Sequence, residues 1–153
     1  MAFIRVTAPL LALTAAAVGF AAPASADQRL DGDYAFVNGA TTNTWSINTQ
    51  CNPEGVCGGT VSSSTGMVAN ISRPADGPWT VVRHDVPNGW TCANGTTGPA
   101  DVVYAFDPAT LAGTISNTSK PGTCGDPNAI NNQQPVSLHL VRPTELFPVF
   151  SSS

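Results

Sequence analysis

The chain has 153 residues, a formal charge of −4, and charged side chains at only 10% of its positions. Its six basic residues are scattered singly, which excludes a nucleic-acid or anionic-lipid surface, since either needs clustered lysine and arginine. The length suits one domain around one core and leaves no room for a second of ordinary size.

Residues 1–26, MAFIRVTAPLLALTAAAVGFAAPASA, carry one charge, Arg5, then an apolar run and a small-residue site at Ala24-Ser25-Ala26. That order is the pattern of a secretory signal peptide. The run is interrupted by Thr7, Pro9 and Thr14 and is too short for a spanning helix, so no stable membrane insertion is expected. Cleavage after Ala26 leaves a single β domain over 27–144 and an apolar tail over 145–153. It also removes Arg5 and takes the formal charge from −4 to −5, because all ten acidic residues lie beyond position 26.

Beyond that segment, short alternating apolar runs are separated by Gly, Pro and Asn signals, and no window holds a helical period capped at both ends. Asp31-Gly-Asp33 reads as a turn into the first strand. It has neither the acidic ladder nor the closing glutamate of a calcium loop. Strands are predicted over 34–37 and 41–49, joined by Asn38-Gly39, a dipeptide that accepts positive φ at both centres of a hairpin turn. In the second of these, Trp45, Ile47 and Cys51 share one face, while Thr44, Ser46 and Asn48 share the other.

Further strands are predicted over 58–63, 67–72, 79–85, 101–106, 111–118 and 136–141. Turns are expected at Pro87-Asn88-Gly89, Asn94-Gly95 and Asp107-Pro108. Val102-Val103-Tyr104-Ala105-Phe106 is apolar on both faces and is expected at the centre of a sheet. In the last strand Val136, Leu138 and Leu140 should face the core together. Phe147 and Phe150 of the tail would either strap the sheet or await a partner. The predicted fold is all-β, an antiparallel meander of about eight strands forming a small barrel or sandwich, and it is expected to be a monomer.

Four cysteines in an exported chain read as two disulfides. Three pairings are possible. Cys51-Asn-Pro-Glu-Gly-Val-Cys57 centres a turn between two strand ends and brings its cysteines across a hairpin neck, so Cys51 pairs with Cys57 and Cys92 with Cys124. The small loop would stabilise by about 2.4 kcal/mol and the large one by about 3.7, on the chain-entropy account. No His or basic residue adjoins any Cys to lower its pKa, so thiol chemistry is not expected. Two scattered histidines and oxidised cysteines offer no metal site, and no cofactor motif is present.

Candidates for chemistry are few. His84-Asp85 with the serines at 62–64 is the one arrangement that suggests a nucleophile and base. Neighbours on a strand point to opposite faces, however, so Asp85 should not orient His84. No Gly-x-Ser-x-Gly elbow exists, and nothing in the spacing of the carboxylates singles out an acid pair. Trp45, Trp79, Trp90, Tyr34 and Tyr104 all fall in or beside strands, where they would either fill a core or line a pocket mouth and stack on a ligand.

Leu30-Asp-Gly-Asp-Tyr-Ala-Phe36, Trp45-x5-Cys51-x5-Cys57-Gly-Gly-Thr-Val-Ser-Ser, Trp90-Thr-Cys92-Ala-Asn-Gly-Thr, Tyr104-Ala-Phe-Asp-Pro-Ala-Thr-Leu-Ala-Gly113 and Cys124-Gly125 together resemble small exported proteins of mycobacteria and related actinobacteria. The resemblance covers most of the chain beyond residue 26. It implies a secreted β-rich domain and supplies no catalytic residue. The leading expectation is a secreted, non-enzymatic domain of the envelope or medium that binds a small apolar or glycan ligand or an envelope component. The alternative is a protein-interaction or antigen-like surface domain that meets an envelope or host protein, and a Ser/His hydrolase around His84 stands third.

Overall fold

The computed structural model of the chain describes residues 29–144, so the signal peptide expected over 1–26 and the tail expected over 145–153, with Phe147 and Phe150, lie outside the described residues. Eight antiparallel strands follow in chain order: β1 Asp31–Asn38, β2 Thr41–Cys51, β3 Cys57–Ser63, β4 Val68–Arg73, β5 Trp79–Thr91, β6 Thr97–Phe106, β7 Ala112–Ser119 and β8 Asn131–Pro143. Each pairs with the next and β8 returns to β1, closing an up-and-down barrel. Between barrel and sandwich, the alternation along each strand fits both. The pairing of β1 with β8 decides for the barrel.

Closure fixes what fills the middle. An eight-stranded barrel has an interior just wide enough for side chains, and the inward positions here supply large ones. Phe36 and Trp45 stack with centroids 4.5 Å apart and planes 5° from parallel. Tyr104 and Phe106 meet that pair edge-on at 5.1 to 6.4 Å. Ile47, Val61, Ile71, Trp79, Val81, Val102, Val136 and Leu138 complete the core. Edge-to-face rings add roughly 0.5–1.5 kcal/mol per pair beyond the area they bury, which favours one arrangement of the interior over its alternatives.

The first hairpin forms between the predicted strands, but its turn centres are Gly39 and Ala40 rather than Asn38 and Gly39, and only Gly39 has a positive φ. Asn38 pairs with Thr41, and Gly39 takes the left-handed φ of 58° that the turn needs. Asp31-Gly-Asp33 is not a turn but the start of β1. Thr49 N–H donates to Asp31 Oδ1 at 3.0 Å, and Ser46 Oγ donates to Asp33 Oδ1 at 2.6 Å, so both carboxylates are satisfied within the ladder and no turn is needed. Val102–Phe106 is not central, since a closed barrel gives every strand two neighbours. Its outward residues Val103 and Ala105 are half-buried on the barrel wall.

Two further expectations change for one reason, the β-bulge. Pro87-Asn88-Gly89 is not a turn: β5 runs on to Thr91, and its register against β6 slips between Arg83 and Val86 and again between Val86 and Trp90. Pro has no N–H to give a ladder, and a bulge is where a strand tolerates that loss. On β8, Val141 is the residue left over where Arg142 pairs with Asp33 and Leu140 with Tyr34. Leu140 keeps the register of Val136 and Leu138, opposite inward-facing Tyr34, yet beside the bulge it is 55% exposed.

Alternating strand directions sort the loops onto two ends. One end, the cleft end, gathers the β2–β3, β4–β5 and β6–β7 loops with Leu30 and the last residues of β8. The far end gathers the hairpin at Asn38, the β3–β4 and β5–β6 loops and the long β7–β8 connection, which carries a single 3-10 turn at Thr123–Gly125. Both cystines form as predicted, Cys51–Cys57 at the cleft end and Cys92–Cys124 at the far end, and no described cysteine is free. Two disulfides fit an oxidising environment outside the cytosol.

Candidate functional site

At the cleft end an open depression of about 890 Å³ lies between two hairpins. One wall is the β2–β3 hairpin, from Gln50 through Glu54 to Cys57, and the other is the β4–β5 turn with Arg73, Ala75 and Asp76. Arg29 and Pro108 close the remaining sides. Each wall is locally braced. Cys51 and Cys57 face each other in register, so their bridge pins the neck of the hairpin. Above it Asn52 closes the loop, accepting Gly55 N–H at 3.0 Å on its carbonyl and Val56 N–H at 2.9 Å on Oδ1.

The opposite wall is organised by one side chain. Arg73 pairs across the ladder with Cys57 and follows Ile71 on the inward face, which leaves it 5% exposed. Its Nε donates to Gly77 O at 3.1 Å and Nη2 to Ala75 O at 3.3 Å, so the guanidinium holds the Pro74–Pro78 turn in shape. No carboxylate lies within salt-bridge distance of it among the described residues, although exposed Glu54 and Asp76 stand on the rim. Arg29 is engaged otherwise, with Nε 3.7 Å from Asp31 Oδ2.

At the same end Thr49 continues the inward face of Trp45 and Ile47 as a buried polar residue. Its Oγ1 accepts Leu30 N–H at 2.9 Å and donates to Leu30 O at 3.1 Å. Leu30 is thereby held across the cleft end, on top of the aromatic core. Behind it, Trp79 is wholly buried, and its Nε1 has no hydrogen-bond acceptor among the described residues.

The aromatic candidates fall into two groups. Tyr34, Trp45, Trp79 and Tyr104 belong to the core and are at most 8% exposed; Trp90 stands apart, half-buried on the bulged end of β5. Burial also raises the phenol pKa of Tyr34 and of Tyr104 above the ordinary value, against hydrogen bonding at Asp31 for the first and the nearby Arg83 charge for the second.

The elements of a triad are present but divided. His84 is exposed, and its Nδ1 lies 3.5 Å from Asp101 Oδ1 rather than on Asp85. The bulge breaks the alternation on which the separation of His84 from Asp85 rests, and both side chains reach solvent near Asp101. No described hydroxyl bonds His84; Ser63 and Ser64 bond Asn43, Thr65 and Thr44 instead. On β8, Ser137 Oγ lies 3.0 Å from His139 Nε2, with no carboxylate beyond the imidazole among the described residues. Asp101 pairs with Thr118 and Ser137 with Ala112, six residues apart on β7. At ~3.3 Å per residue the two half-sites stand about 20 Å apart.

Lys120 completes the far-end group. Its Nζ lies 2.8 Å from Asp101 Oδ1 and 3.1 Å from Asp85 Oδ1, and Asp85 takes a positive φ of 51° whose N–H donates to Asp101 Oδ1. The Lys120 hydrogen bond, then the Asp85 N–H, hold the Asp101 carboxyl below its usual range, and the same carboxylates hold the Lys120 ammonium above its own. Among the described residues no three His, Cys, Asp or Glu side chains group as metal ligands, and no helix is long and apolar enough to cross a membrane.

No protein-family model matches the chain, and no curated protein or solved structure is significantly similar to it. Geometry alone therefore carries the functional reading.

Proposed function

We propose that the chain is a secreted, non-enzymatic binding module and that its site is the depression at the cleft end. The observation that carries this reading is the contrast between a packed interior and an open, braced mouth. The aromatic core leaves the ligand only the rim, and the rim is concave, polar and held by a cystine on one side and by Arg73 on the other. A site that is rigid before the ligand arrives loses little ordering entropy on binding. Amide, guanidinium and backbone groups at the walls suit a hydroxyl-rich ligand such as a glycan better than an apolar one.

An amide-detected NMR titration with soluble glycans tests it. Saturable shifts gathered at 50–57 and 73–77 are expected. Shifts that are absent, or scattered over the barrel wall, would sink the reading.

A second reading, contact with a protein partner, is favoured by the seam between β4 and β5. These strands share only the pairs Ile71–Val81 and Ser72–Thr80, and beside that seam Val68 and Val82 are exposed. The unpaired edge of β5 could receive an extended strand. Val82→Lys should abolish capture of such a partner and leave the glycan titration unchanged.

A further inference from the structure

We propose that Arg73 is the anchor of the cleft and that the ligand it selects carries a single oxyanion, a carboxylate on a hydroxylated small molecule such as a uronic acid. This rests on the cleft being the binding site and adds which group is recognised and by which residue.

Arginine has five N–H donors in a fixed planar fork. Here the side-on edge, Nε with Nη2, is taken by the carbonyls of Gly77 and Ala75. The end-on edge, Nη1 with the second N–H of Nη2, has no partner among the described residues. That edge presents two parallel N–H groups and can hold a carboxylate bidentately, as the side-on edge could if it were not occupied. The two carbonyls hold the guanidinium in place but carry no charge to balance it. A cation 5% exposed and without a carboxylate is costly to bury. Its position in the lining of an open cleft gives an incoming anion a way to lift that cost.

The rest of the lining narrows the class. Glu54 and Asp76 are exposed at the tips of the two hairpins, so an entering ligand passes two carboxylates before it reaches Arg73. Exposed charges are screened by salt and repel a monoanion weakly, but the repulsion grows with each further charge on the ligand. A polyanion is therefore disfavoured. Gln50 and Asn52 beside the anchor offer amide donors and acceptors to neighbouring hydroxyls.

The test is NMR of the oxidised, ¹⁵N-labelled chain, following arginine side-chain and backbone signals at constant ionic strength. Probes are sodium glucuronate, glucose, citrate and inorganic phosphate. Glucuronate should shift the Arg73 side-chain signals saturably and bind at least about tenfold more tightly than glucose, citrate or phosphate. Arg73→Lys keeps the charge and loses the fork, and it should weaken glucuronate about tenfold while glucose is unaffected. If that variant does not fold, the wild-type shifts still decide. Glucose equal to glucuronate at the cleft would overturn the inference and leave the binding site standing. No shift at 50–57 or 73–77 with any probe would overturn both. Citrate or phosphate binding more tightly than glucuronate would overturn the monoanion preference and the role given to Glu54 and Asp76.

Discussion

The two ends of the barrel each carry one cystine, and they use it differently. At the far end Cys92–Cys124 ties the β5–β6 loop to the 3-10 turn of the β7–β8 connection, 32 residues apart, with Cys92 buried and Cys124 at the surface. Thr123 is buried there, where its methyl would clash with any Cβ added at Gly98, and Lys120 bridges two carboxylates. At the cleft end Cys51–Cys57 ties residues already opposed in a hairpin, only six apart, and the space beside it is left open. A long-range tie removes more freedom from the unfolded chain than a local one. One bridge chiefly stabilises the fold, the other holds a wall of the cleft in shape, and a concave site gains more from the second.

The sharpest way to break this comparison is to remove each bridge in turn. Replacing Cys92 and Cys124 by alanine should cost about 3.7 kcal/mol in denaturant unfolding, and the Cys51, Cys57 double replacement about 2.4. Only the second should abolish shifts at 50–57 in the glycan titration. Equal losses, or a titration that survives the second change, would erase the distinction between the ends.

Next in size is Gly32→Ala at the cleft end. Gly32 has φ 126° against the β8 bulge, and an added Cβ would collide with the Arg142 carbonyl. A loss of about 2–3 kcal/mol is expected in the same unfolding assay, since side-chain-bearing residues adopt such a backbone only under strain. Thr49→Val tests the tie between β2 and Leu30. It should cost about 2 kcal/mol by leaving Leu30 N–H and C=O without partners. Thermal melts should show the loss with the aromatic near-ultraviolet signal of the folded core retained.

Smallest is the pH dependence, in which both ends share an acid decline and Lys120 adds an alkaline one at the far end. Asp101 at the far end and Asp107 at the cleft end are both depressed. For Asp107 the causes are the N–H groups of Thr110 and Ala109. A depressed carboxylate stabilises the fold above its unfolded pKa, and that contribution is lost as pH falls through the folded value. Both ends therefore weaken in acid. Lys120 is raised, so its contribution is complete below its unfolded pKa and lost as pH rises through the folded one. Melting temperature against pH should show a smaller alkaline decline in Lys120→Met and an unchanged one in Asp107→Asn. The decline that remains would come from Tyr34 and Tyr104, whose burial also opposes ionisation.

What the chain makes legible by eye depends on distance along it. The Asn38-Gly39 hairpin and the Cys51–Cys57 neck are local, and their residues specify the backbone directly. Closure is not local. The pairing of β1 with β8 leaves no mark in either strand that distinguishes a barrel from a sandwich. Pro87-Asn88-Gly89 misleads because the residues that favour a turn also favour a bulge, and only the partner strand β6 decides between them. Leu140 misleads because an inward register position next to a bulge near the strand end stays open to solvent, which the alternation alone does not reveal.

The candidate site is weakly marked in the sequence. Arginine is ordinarily a surface residue, so Arg73 passes as one of six scattered cations. Its spacing two residues after Ile71 on β4 was the available signal, since inward positions on a strand recur at every second residue. The aromatics drew attention instead because their chemistry suits either a core or a pocket.

Closure through the first and last strands also orders events in time. β1 waits for β8, about a hundred residues later, and contacts so far apart in sequence form slowly because a long loop must first be closed. Strands β1 to β7 can pair as they emerge during synthesis, but they form an open sheet with two bare edges until the final strand arrives. A permuted chain that joins β8 to β1 by a short linker and opens at the β3–β4 loop would make that seam a hairpin, and its refolding should be faster than that of the natural order.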